Sequence, residues 1–353
     1  DVRRRGGAVS RVARAVHWIW GNSAAARLAR IPLLPIAGLY WAVMQLRAAR
    51  RSERSAARLA LPAIAVGNLS VGGTGKTPLA AWIAEYCAAR GCTPAILLRG
   101  YGGDEPLVHR RLAPHAVVVA DPDRVAGARA AHAQGAHICV LDDAYQLTGV
   151  ARDLNIAVVS AESAAGSPWL LPAGPWRERW DALARADLIV VTRKSSSPVA
   201  TAAVAERLAG MRPDVPMCIA AVELSHLEGM RSGARRQLDV LAGRRVLAAA
   251  GIADPASFAA QLRACGAIVQ LVAHQDHHPY TPADVERLAR AARAGDNVVV
   301  TEKDAVKLRA HWPVSTPEPL VAVLAVRWER NGRALEQAVD AVLALSRRAV
   351  PET

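Results

Sequence analysis

Short apolar runs alternate with helical patterns through the middle of the chain. Residues Leu61–Gly67 form one run and predict a buried strand, because a strand covered on both faces is apolar throughout. A helical pattern follows through Ala89. His137–Leu141 predicts a second buried strand, and Val298–Val300 predicts a third. The pattern therefore indicates a core of buried strands joined by helices.

A longer apolar run, Ile31–Leu46, lies near the N-terminus. As a helix its sixteen residues would reach about 24 Å, short of the roughly 30 Å hydrocarbon core of a membrane. Trp18, Trp20, Tyr40 and Trp41 are aromatics of the kind that collect at headgroup depth. Three interpretations are open: a shallow or short membrane-spanning helix, a helix packed on the protein's own core, and a nucleic-acid-binding arm. We favour the membrane helix, since no nucleic-acid-binding motif accompanies the run.

Charge supports a membrane surface as partner. The 353-residue chain has a net charge of +13. Residues 1–60 hold twelve arginines against Asp1 and Glu53, so +10 of that charge lies in this segment. Anionic headgroups attract such a segment by about 1 kcal/mol per basic residue near the surface. The arginines that follow the apolar run at helical spacing, and so predict a positive stripe, are Arg47, Arg51, Arg54 and Arg58.

Composition narrows the class further. A hydrophobic content of 52% with 21% charged residues excludes a disordered or fibrous chain. The five scattered cysteines form no CxxC pair, which argues against a disulfide framework or a zinc site and fits a reducing cytosol. Forty of the 44 basic residues are arginine, so each retained lysine is informative. The lysines are Lys76, Lys194, Lys303 and Lys307.

The first buried strand runs into a glycine-rich loop and then a helix, which is the setting of a phosphate-binding loop. Glycines let backbone N–H groups surround phosphate oxygens at the helix N-terminus. Lys76 would then reach the β- and γ-phosphates, and Thr77 would ligate Mg²⁺. Ser70 stands where the common motif has its first glycine, and the local form resembles the loops of signal-recognition and partition ATPases. The predicted nucleotide-binding residues are Gly72, Gly73, Thr74, Gly75, Lys76 and Thr77.

The second buried strand ends in two carboxylates, Asp142 and Asp143. A P-loop site needs such a strand, because an acid beside the loop helps to hold Mg²⁺. The alternative is a strand-end carboxylate that caps a helix. ATP and Mg²⁺ are therefore the expected cofactors, with Thr77, Asp142 and Asp143 as the expected metal ligands.

Motifs along nearly the whole chain resemble one family, the tetraacyldisaccharide 4'-kinases, which are the lipid A kinases of Gram-negative bacteria. Their order makes the resemblance more specific than a P-loop alone. The motifs are VGNLSVGGTGKTP (66–78), RGYGG (99–103), DEPL (104–107), LDDAYQ (141–146), ARDLNIAVV (151–159), LLPAGPWRE (170–178), AGIADPASF (250–258), DHHPYT (276–281) and TEKDAVKL (301–308). Two departures bear on substrate contacts: Leu147 replaces the family's histidine, and Gly103 joins two motifs that many members separate.

The resemblance implies ATP-dependent phosphorylation of the 4'-hydroxyl of a tetraacylated glucosamine disaccharide 1-phosphate in lipid A biosynthesis. The expected partners are this glycolipid and the anionic surface of the bacterial inner membrane at its cytoplasmic face, with no nucleic acid and no obligate protein partner. The alternative function is that of a membrane-associated partition- or signal-recognition-like P-loop ATPase. Those ATPases carry a further lysine near the start of the loop, whereas Val71 occupies that neighbourhood here.

The resemblance also implies an α/β fold. We expect a P-loop NTPase-type α/β/α sandwich domain with an N-terminal membrane-associated helix, and a second, smaller α/β domain joined by a two-stranded link. The expected boundaries are a basic N-terminal segment at 1–60, a kinase domain at 61–216 completed by 329–353, and the smaller domain at 217–328. The expected link strands are Met217–Leu224 and Leu320–Val326, and a final helix covers Ala334–Ser346.

By the same resemblance, Asp104 orients or deprotonates the sugar hydroxyl with help from His277, and Lys76 completes the catalytic set. Alternatively Asp104 caps a turn, and His277 is a solvated loop histidine or part of a metal site with His274 and His278. Residues 301–304 are interpreted as a structural or closure element outside the site. The further residues expected to line the site are Arg99, Glu105, Arg124, Arg177 and Glu178, the arginines because their guanidinium forks suit phosphate oxygens.

Overall fold

A computed structural model of the protein describes residues 15–16, 18–21, 23–50, 56–100, 103–166 and 168–349. Its strands are β1 Ala63–Asn68, β2 Pro94–Leu98, β3 Val117–Ala120, β4 Ile138–Asp142, β5 Leu154–Ser160, β6 Leu188–Arg193, β7 Met217–Gly229, β8 Arg235–Arg236, β9 Arg245–Ala250, β10 Ile268–Ala273, β11 Asn297–Thr301 and β12 Leu320–Arg330. Its α-helices are α1 Ala24–Arg30, α2 Leu34–Arg50, α3 Lys76–Ala88, α4 Glu105–Leu112, α5 Arg124–Ala133, α6 Ala161–Ala165, α7 Pro198–Met211, α8 Pro255–Ala264, α9 Pro282–Arg293, α10 Glu302–Leu308 and α11 Gly332–Ala349.

Contacts divide the chain into two units. Unit 1 comprises Asp1–Arg99, His115–Ala220 and Trp328–Thr353. Unit 2 comprises Gly100–Pro114 and Ala221–Arg327. The segment 100–114, which carries α4, thus belongs to unit 2 although it lies in sequence between two strands of unit 1. The long strands β7 and β12 each have residues in both units.

Unit 1 is an α/β domain on a parallel sheet with the strand order β3-β2-β4-β1-β5-β6. β1 is buried along its whole length, and its Ala63 and Ala65 join one apolar cluster while Ala157 and Val159 of β5 join another. Helix α3 packs on β1, β2 and β4, and α11 packs on α3, β1 and β5. A parallel sheet covered in this way has apolar strands, which explains the sequence pattern.

The register of this sheet sets up the phosphate-binding edge. β1 and β4 are parallel neighbours, with Val66 opposite Asp142. Because the carboxyl ends of parallel strands lie at the same edge, the loop after β1 and the acids after β4 come together there.

Unit 2 carries a second parallel arrangement, with β10-β9-β11-β12 in order, β7 beside β12, and β8 antiparallel to β7. Two apolar clusters form its core, one with Leu288 and Val300 and the other with Leu262 and Val299. Within this unit α4 packs against α10. That packing places the start of α4 beside residues that follow it by about 200 positions.

The N-terminal apolar segment forms α1, a 3₁₀ turn at Ile31–Leu33 and α2. Ala24–Leu46, 23 residues, is long and apolar enough to cross a membrane, and little of it is buried. Packing on the protein's own core therefore does not describe this segment. Its start is fixed by Arg30, which is 5% exposed and donates to the carbonyls of Ile19 and Gly21, both at 2.8 Å.

Only part of the predicted arginine stripe lies within the described residues. Arg51, Arg54 and the side chain of Arg47 lie outside the described residues. The inclusion of Arg58 was wrong, because Ala57 pairs with Val150 as a β-bridge and the chain is extended at that point.

Candidate active site

The predicted nucleotide-binding residues form the loop after β1 and the first turn of α3. Gly72 and Gly75 have φ of +114° and +86°, left-handed conformations that glycine adopts without strain. Gly75 is the N-cap of α3, and Lys76 and Thr77 are its first two residues. The free N–H groups and the positive end of this 13-residue helix therefore face the loop, which is the arrangement that binds phosphate.

Buried side chains hold the loop in place. The Asn68 amide donates to the carbonyl of Ser70 at 2.6 Å and to the hydroxyl of Thr74 at 2.9 Å. The Thr192 hydroxyl at the end of β6 donates to the carbonyl of Thr74 at 2.7 Å. Asn68, Thr74 and Thr192 are all buried, so these bonds are shielded from water and fix the loop firmly.

The acids at the end of β4 engage the loop directly. The ammonium of Lys76 lies 3.0 Å from Asp143, and the Thr77 hydroxyl donates to Asp142 at 3.3 Å. The Arg177 guanidinium donates to Asp143 at 3.0 and 3.2 Å. Desolvation alone would raise the pKa of Asp143, but the charges of Lys76 and Arg177 hold that pKa below its ordinary value. Asp143 is thus an anion in contact with two cations, Lys76 and Arg177, that are also available to a phosphate group.

The hydroxyl of Thr77 and the carboxylate of Asp142 are oxygen donors of the kind that Mg²⁺ prefers. The Thr77 hydroxyl and the Asp142 carboxylate lie within hydrogen-bond distance of each other beside the loop. Asp143 is the next residue in the sequence. The three residues therefore fit a Mg²⁺ ion held next to bound phosphates, by the chemistry of the donor set.

Arg124 is a buried guanidinium in the same unit. It opens α5 and donates to the carbonyl of Asp121 at 2.6 Å, while its Nε has no hydrogen-bond partner among the described residues. Burial lowers its pKa, and the charges of Asp142 and Asp143 oppose that change. The charge of Arg99 lowers the same pKa further, so Arg99 lies within electrostatic reach of Arg124.

Arg177 and Glu178 are placed differently from each other. Their backbone N–H groups both donate to the carbonyl of Leu69, at 2.7 and 3.2 Å, which ties their segment to the phosphate loop. Arg177 then reaches Asp143, whereas Glu178 forms an ion pair with Arg185. Arg177 therefore contacts one of the acids after β4, whereas Glu178 pairs with Arg185 instead.

Unit 2 gathers a second set of site residues around Asp104, which is 4% exposed and is the N-cap residue of α4. Nδ1 of His277 lies 3.1 and 3.2 Å from the two carboxylate oxygens. The ammonium of Lys307 lies 3.0 Å from Oδ2. Burial opposes the charge on Asp104, yet Lys307 and then His277 hold its pKa below the ordinary value. Glu105 follows as the first residue of α4 and is partly buried.

His277 is held in a left-handed conformation, with φ of +59°. Such a conformation is uncommon for residues other than glycine, although histidine, asparagine and aspartate adopt it more often than most. Here the backbone N–H of His277 donates to the carbonyl of Gly251 at 3.1 Å. The ring is thereby aimed at Asp104 through Nδ1.

The other two histidines of this segment, His274 and His278, do not contact Asp104 in the described interactions. Nε2 of His278 lies 2.9 Å from Asp284, and the His274 ring stacks on His278 with centroids 4.2 Å apart. Burial lowers the pKa of His274 to about 4. Ligand atoms of these three residues approach one another within 4.8 Å, but the Arg287 guanidinium lies 3.3 Å from both His274 and Asp284 and opposes a cation there.

Lys307 is a neighbour of the candidate site that the sequence analysis missed. On sequence grounds, residues 301–304 of its motif are placed outside the site and Lys307 is assigned no role, and its partner Asp104 is about 200 residues earlier. One signal pointed to it, namely that lysine is retained at only four positions in an arginine-rich chain.

Comparison with known proteins identifies the family. A family model described as tetraacyldisaccharide-1-P 4'-kinase matches residues 29–104 and 102–344. The chain belongs to the tetraacyldisaccharide 4'-kinase family. A relative of that name from Anaeromyxobacter sp. (strain K) is 38% identical, over 90% of this chain and 92% of its own length. Another from Nitrobacter winogradskyi is 35% identical, over 83% of this chain and 88% of its own length.

A solved structure supports the same assignment. The crystal structure of LpxK from Aquifex aeolicus in complex with ATP aligns with a TM-score of 0.68 and 26% identity, covering 89% of this chain and 99% of that one. The family membership makes this chain a kinase, a phosphotransferase that acts on a hydroxyl group, in lipid A biosynthesis. The alternative of a partition- or signal-recognition-like ATPase is not favoured.

Proposed function

We propose that the protein transfers the γ-phosphoryl group of ATP to the 4'-hydroxyl of tetraacyldisaccharide 1-phosphate at the cytoplasmic face of the inner membrane. The observation that carries the residue assignment is the pairing of buried Asp104 with His277 at 3.1 Å. A carboxylate fixed in this way suits an acceptor hydroxyl, and the phosphate loop of the same chain supplies the donor site.

The nucleotide half of the reaction rests on unit 1. The N–H groups at the start of α3 and the ammonium of Lys76 bind phosphate oxygens, while Arg124 adds a buried positive charge. Lys76 exchanges its contact with Asp143 for the β- and γ-phosphates. Thr77, Asp142 and Asp143 would hold Mg²⁺ beside the phosphates, and the bound ion would supply charge neutralisation there.

The acceptor half rests on unit 2. Phosphoryl transfer forms a bond between the 4'-oxygen and the γ-phosphorus and breaks the bond from that phosphorus to the β,γ-bridging oxygen. The hydroxyl proton passes to Asp104, which its neighbours keep anionic. His277, bonded to the same carboxylate through Nδ1, fixes its orientation.

The exposed apolar segment suits a glycolipid substrate. Large apolar side chains on α1, the 3₁₀ turn and α2 face solvent although each would be stabilised by burial. A membrane surface supplies that burial and also holds the acylated acceptor. The exposed apolar residues of the segment are Leu28, Ile31, Ile36, Leu39, Trp41, Val43 and Leu46.

The test is transfer of label. Detergent-solubilised protein is incubated with γ-labelled ATP, Mg²⁺ and tetraacyldisaccharide 1-phosphate, and label is followed into lipid and into free phosphate. We expect labelled lipid, and a fall of about 10²–10⁴-fold in kcat for Asp104→Asn with ATP binding retained. Free phosphate without labelled lipid would instead establish an ATPase. Undiminished transfer by Asp104→Asn would remove that residue from the proposed role.

A further inference from the structure

The position of Lys307 suits a role in the reaction as well as an ion pair that stabilises the fold. Its ammonium lies 3.0 Å from Oδ2 of Asp104, and its side chain is 16% exposed beside a carboxylate that is 4% exposed. A carboxyl group so far from water would favour its neutral form if it had no cation nearby. The charge on Asp104 therefore depends on Lys307 and on the partly exposed His277.

Helix α10, which carries Lys307, also fixes His277. Asp304 on this helix accepts the N–H of Gly251 at 3.1 Å with each of its oxygens. The carbonyl of Gly251 accepts the N–H of His277. A Cβ at position 251 would come within 2.9 Å of Asp304, so glycine is required for this close approach. One helix thus holds the two groups that contact Asp104.

The far end of α4 is fixed to the same helix. Arg111 forms an ion pair with Glu228 and lies 3.7 Å from Glu302, the first residue of α10. Asp104 at the start of α4 is held by Lys307. Arg111 thus ties the far end of α4 to β7 and α10 through contacts that do not involve Lys307.

We propose that Lys307 is a positioning residue for phosphoryl transfer, which keeps Asp104 as a carboxylate and sets its orientation toward the acceptor hydroxyl. The proposal rests on the proposed function, because it takes Asp104 as the proton acceptor. The transition state of phosphoryl transfer is loose in most analyses, so the hydroxyl loses its proton late. A carboxylate that is ionised and held in place therefore matters more than a strongly basic one. Lys307, beside Asp104, favours the ionised form and holds the carboxylate in place.

Several other charged groups surround this pair. The loop after β10 contributes His277 and Asp276, which lie 3.9 Å apart. Helix α10 contributes Asp304, whose pKa Lys307 lowers against a larger effect of burial. Glu105 lies on α4 itself. Among the residues that the structure describes, Lys307 and His277 are the cation sources in direct contact with Asp104, so a variant of Lys307 changes the charge balance there most simply.

The test is the pH profile of kcat for Lys307→Met. Lys307 favours the charged form of Asp104, so its loss raises the pKa of Asp104 and moves the acid limb of the profile to higher pH. We expect about a tenfold loss of kcat at pH 6 that shrinks as the pH rises, with an unchanged KM for ATP. Lys307→Arg keeps the charge and should leave the acid limb in place. Lys303→Met, one turn earlier on α10, is the matched control and should match the wild type.

Two further measurements decide the assignment. In a His277→Gln background the acid limb no longer reports the imidazole, and Lys307→Met should still move it upward. The Asp104 carboxyl carbon, labelled with ¹³C and assigned by its disappearance in Asp104→Asn, should titrate at higher pH in Lys307→Met. An equal loss of kcat at every pH, or an unmoved carboxyl titration, would overturn the proposal. The titration needs no acceptor lipid, so it stands apart from any failure of the proposed function.

Discussion

Lys76 and Asp143 illustrate how single residues keep the phosphate site ready. Each is paired with the other at 3.0 Å, and Arg177 provides Asp143 with a second cation. When phosphates arrive, Lys76 can leave Asp143, because Arg177 stays in contact with that carboxylate, which is 43% exposed. The exchange therefore costs less than it would for a carboxylate with no second cation.

Replacing Lys76 by alanine removes the cation that faces the β- and γ-phosphates. We expect kcat to fall by at least about 10²-fold, since a charge aimed at the transferred group acts mainly in the transition state. Initial rates of label transfer measure the change. Lys303→Ala, which removes a lysine that forms no ion pair in the described part of the chain, should stay close to wild type. A Lys76→Ala enzyme of ordinary kcat would contradict the phosphate-loop assignment.

At the scale of the elements, the turn after β6 depends on one carboxylate. Glu162 in α6 accepts the backbone N–H groups of Lys194, Ser195 and Ser196 at 2.8, 3.0 and 3.0 Å. Burial by itself would raise the pKa of Glu162, but these three bonds lower it to about 2. The ionised side chain thus closes the end of β6, next to the strand position that holds the phosphate loop through Thr192.

This gives a pH dependence with a definite sign. A carboxyl group whose folded pKa is depressed stabilises the fold above its unfolded pKa, and that contribution is lost as the pH falls toward the folded pKa. We expect the free energy of unfolding to fall between about pH 4.5 and pH 2 in part through Glu162. Urea titrations across this range measure it. The same titrations on Glu162→Gln should show lower stability at pH 7 and a shallower decline; an identical slope would exclude the assignment.

Elements with local signals could be predicted from the sequence, and those that depend on distant partners could not. Lys76 and Thr77 directly follow a strand and a run of glycines, so their position at the start of α3 can be predicted from neighbouring residues. Lys307 contacts Asp104 because α10 packs on α4, and no short stretch of sequence predicts that packing. Glu178 was expected among the lining residues, and in the structure it pairs with Arg185, seven positions later along the chain.

At the scale of the whole molecule, the apolar N-terminal segment is attached to unit 1 by specific contacts. Nε1 of Trp20 donates to the carbonyl of Pro172 at 3.0 Å. The segment that contains Pro172 also meets the phosphate loop, since the N–H of Val71 donates to the carbonyl of Pro175 at 2.7 Å. The helices that would meet lipid are therefore joined to the nucleotide-binding unit through a short run of backbone.

A charge on the exposed face of α2 should weaken membrane binding. Leu39 is 66% exposed, so Leu39→Asp leaves the described fold intact but places a carboxylate where apolar contact with lipid is expected. We expect less protein to float with anionic vesicles and a higher KM for the lipid acceptor. Val314, 89% exposed in unit 2, provides the matched control Val314→Asp, which should bind vesicles as the wild type does. Equal flotation of the two variants would rule out α2 as the contact.

The interleaving of the two units along the chain has a consequence for biosynthesis. Asp104 leaves the ribosome about 200 residues before Lys307, its partner within unit 2. In unit 1, β1 and β5 gain their contacts with α11 only after residues 332–349 have been made. Neither unit therefore has all of its packing partners until its late segment has been synthesised. A message truncated before α10 would yield a chain without Lys307, the lysine that lies 3.0 Å from Asp104, and one truncated before α11 would yield a sheet whose β1 and β5 lack that helix.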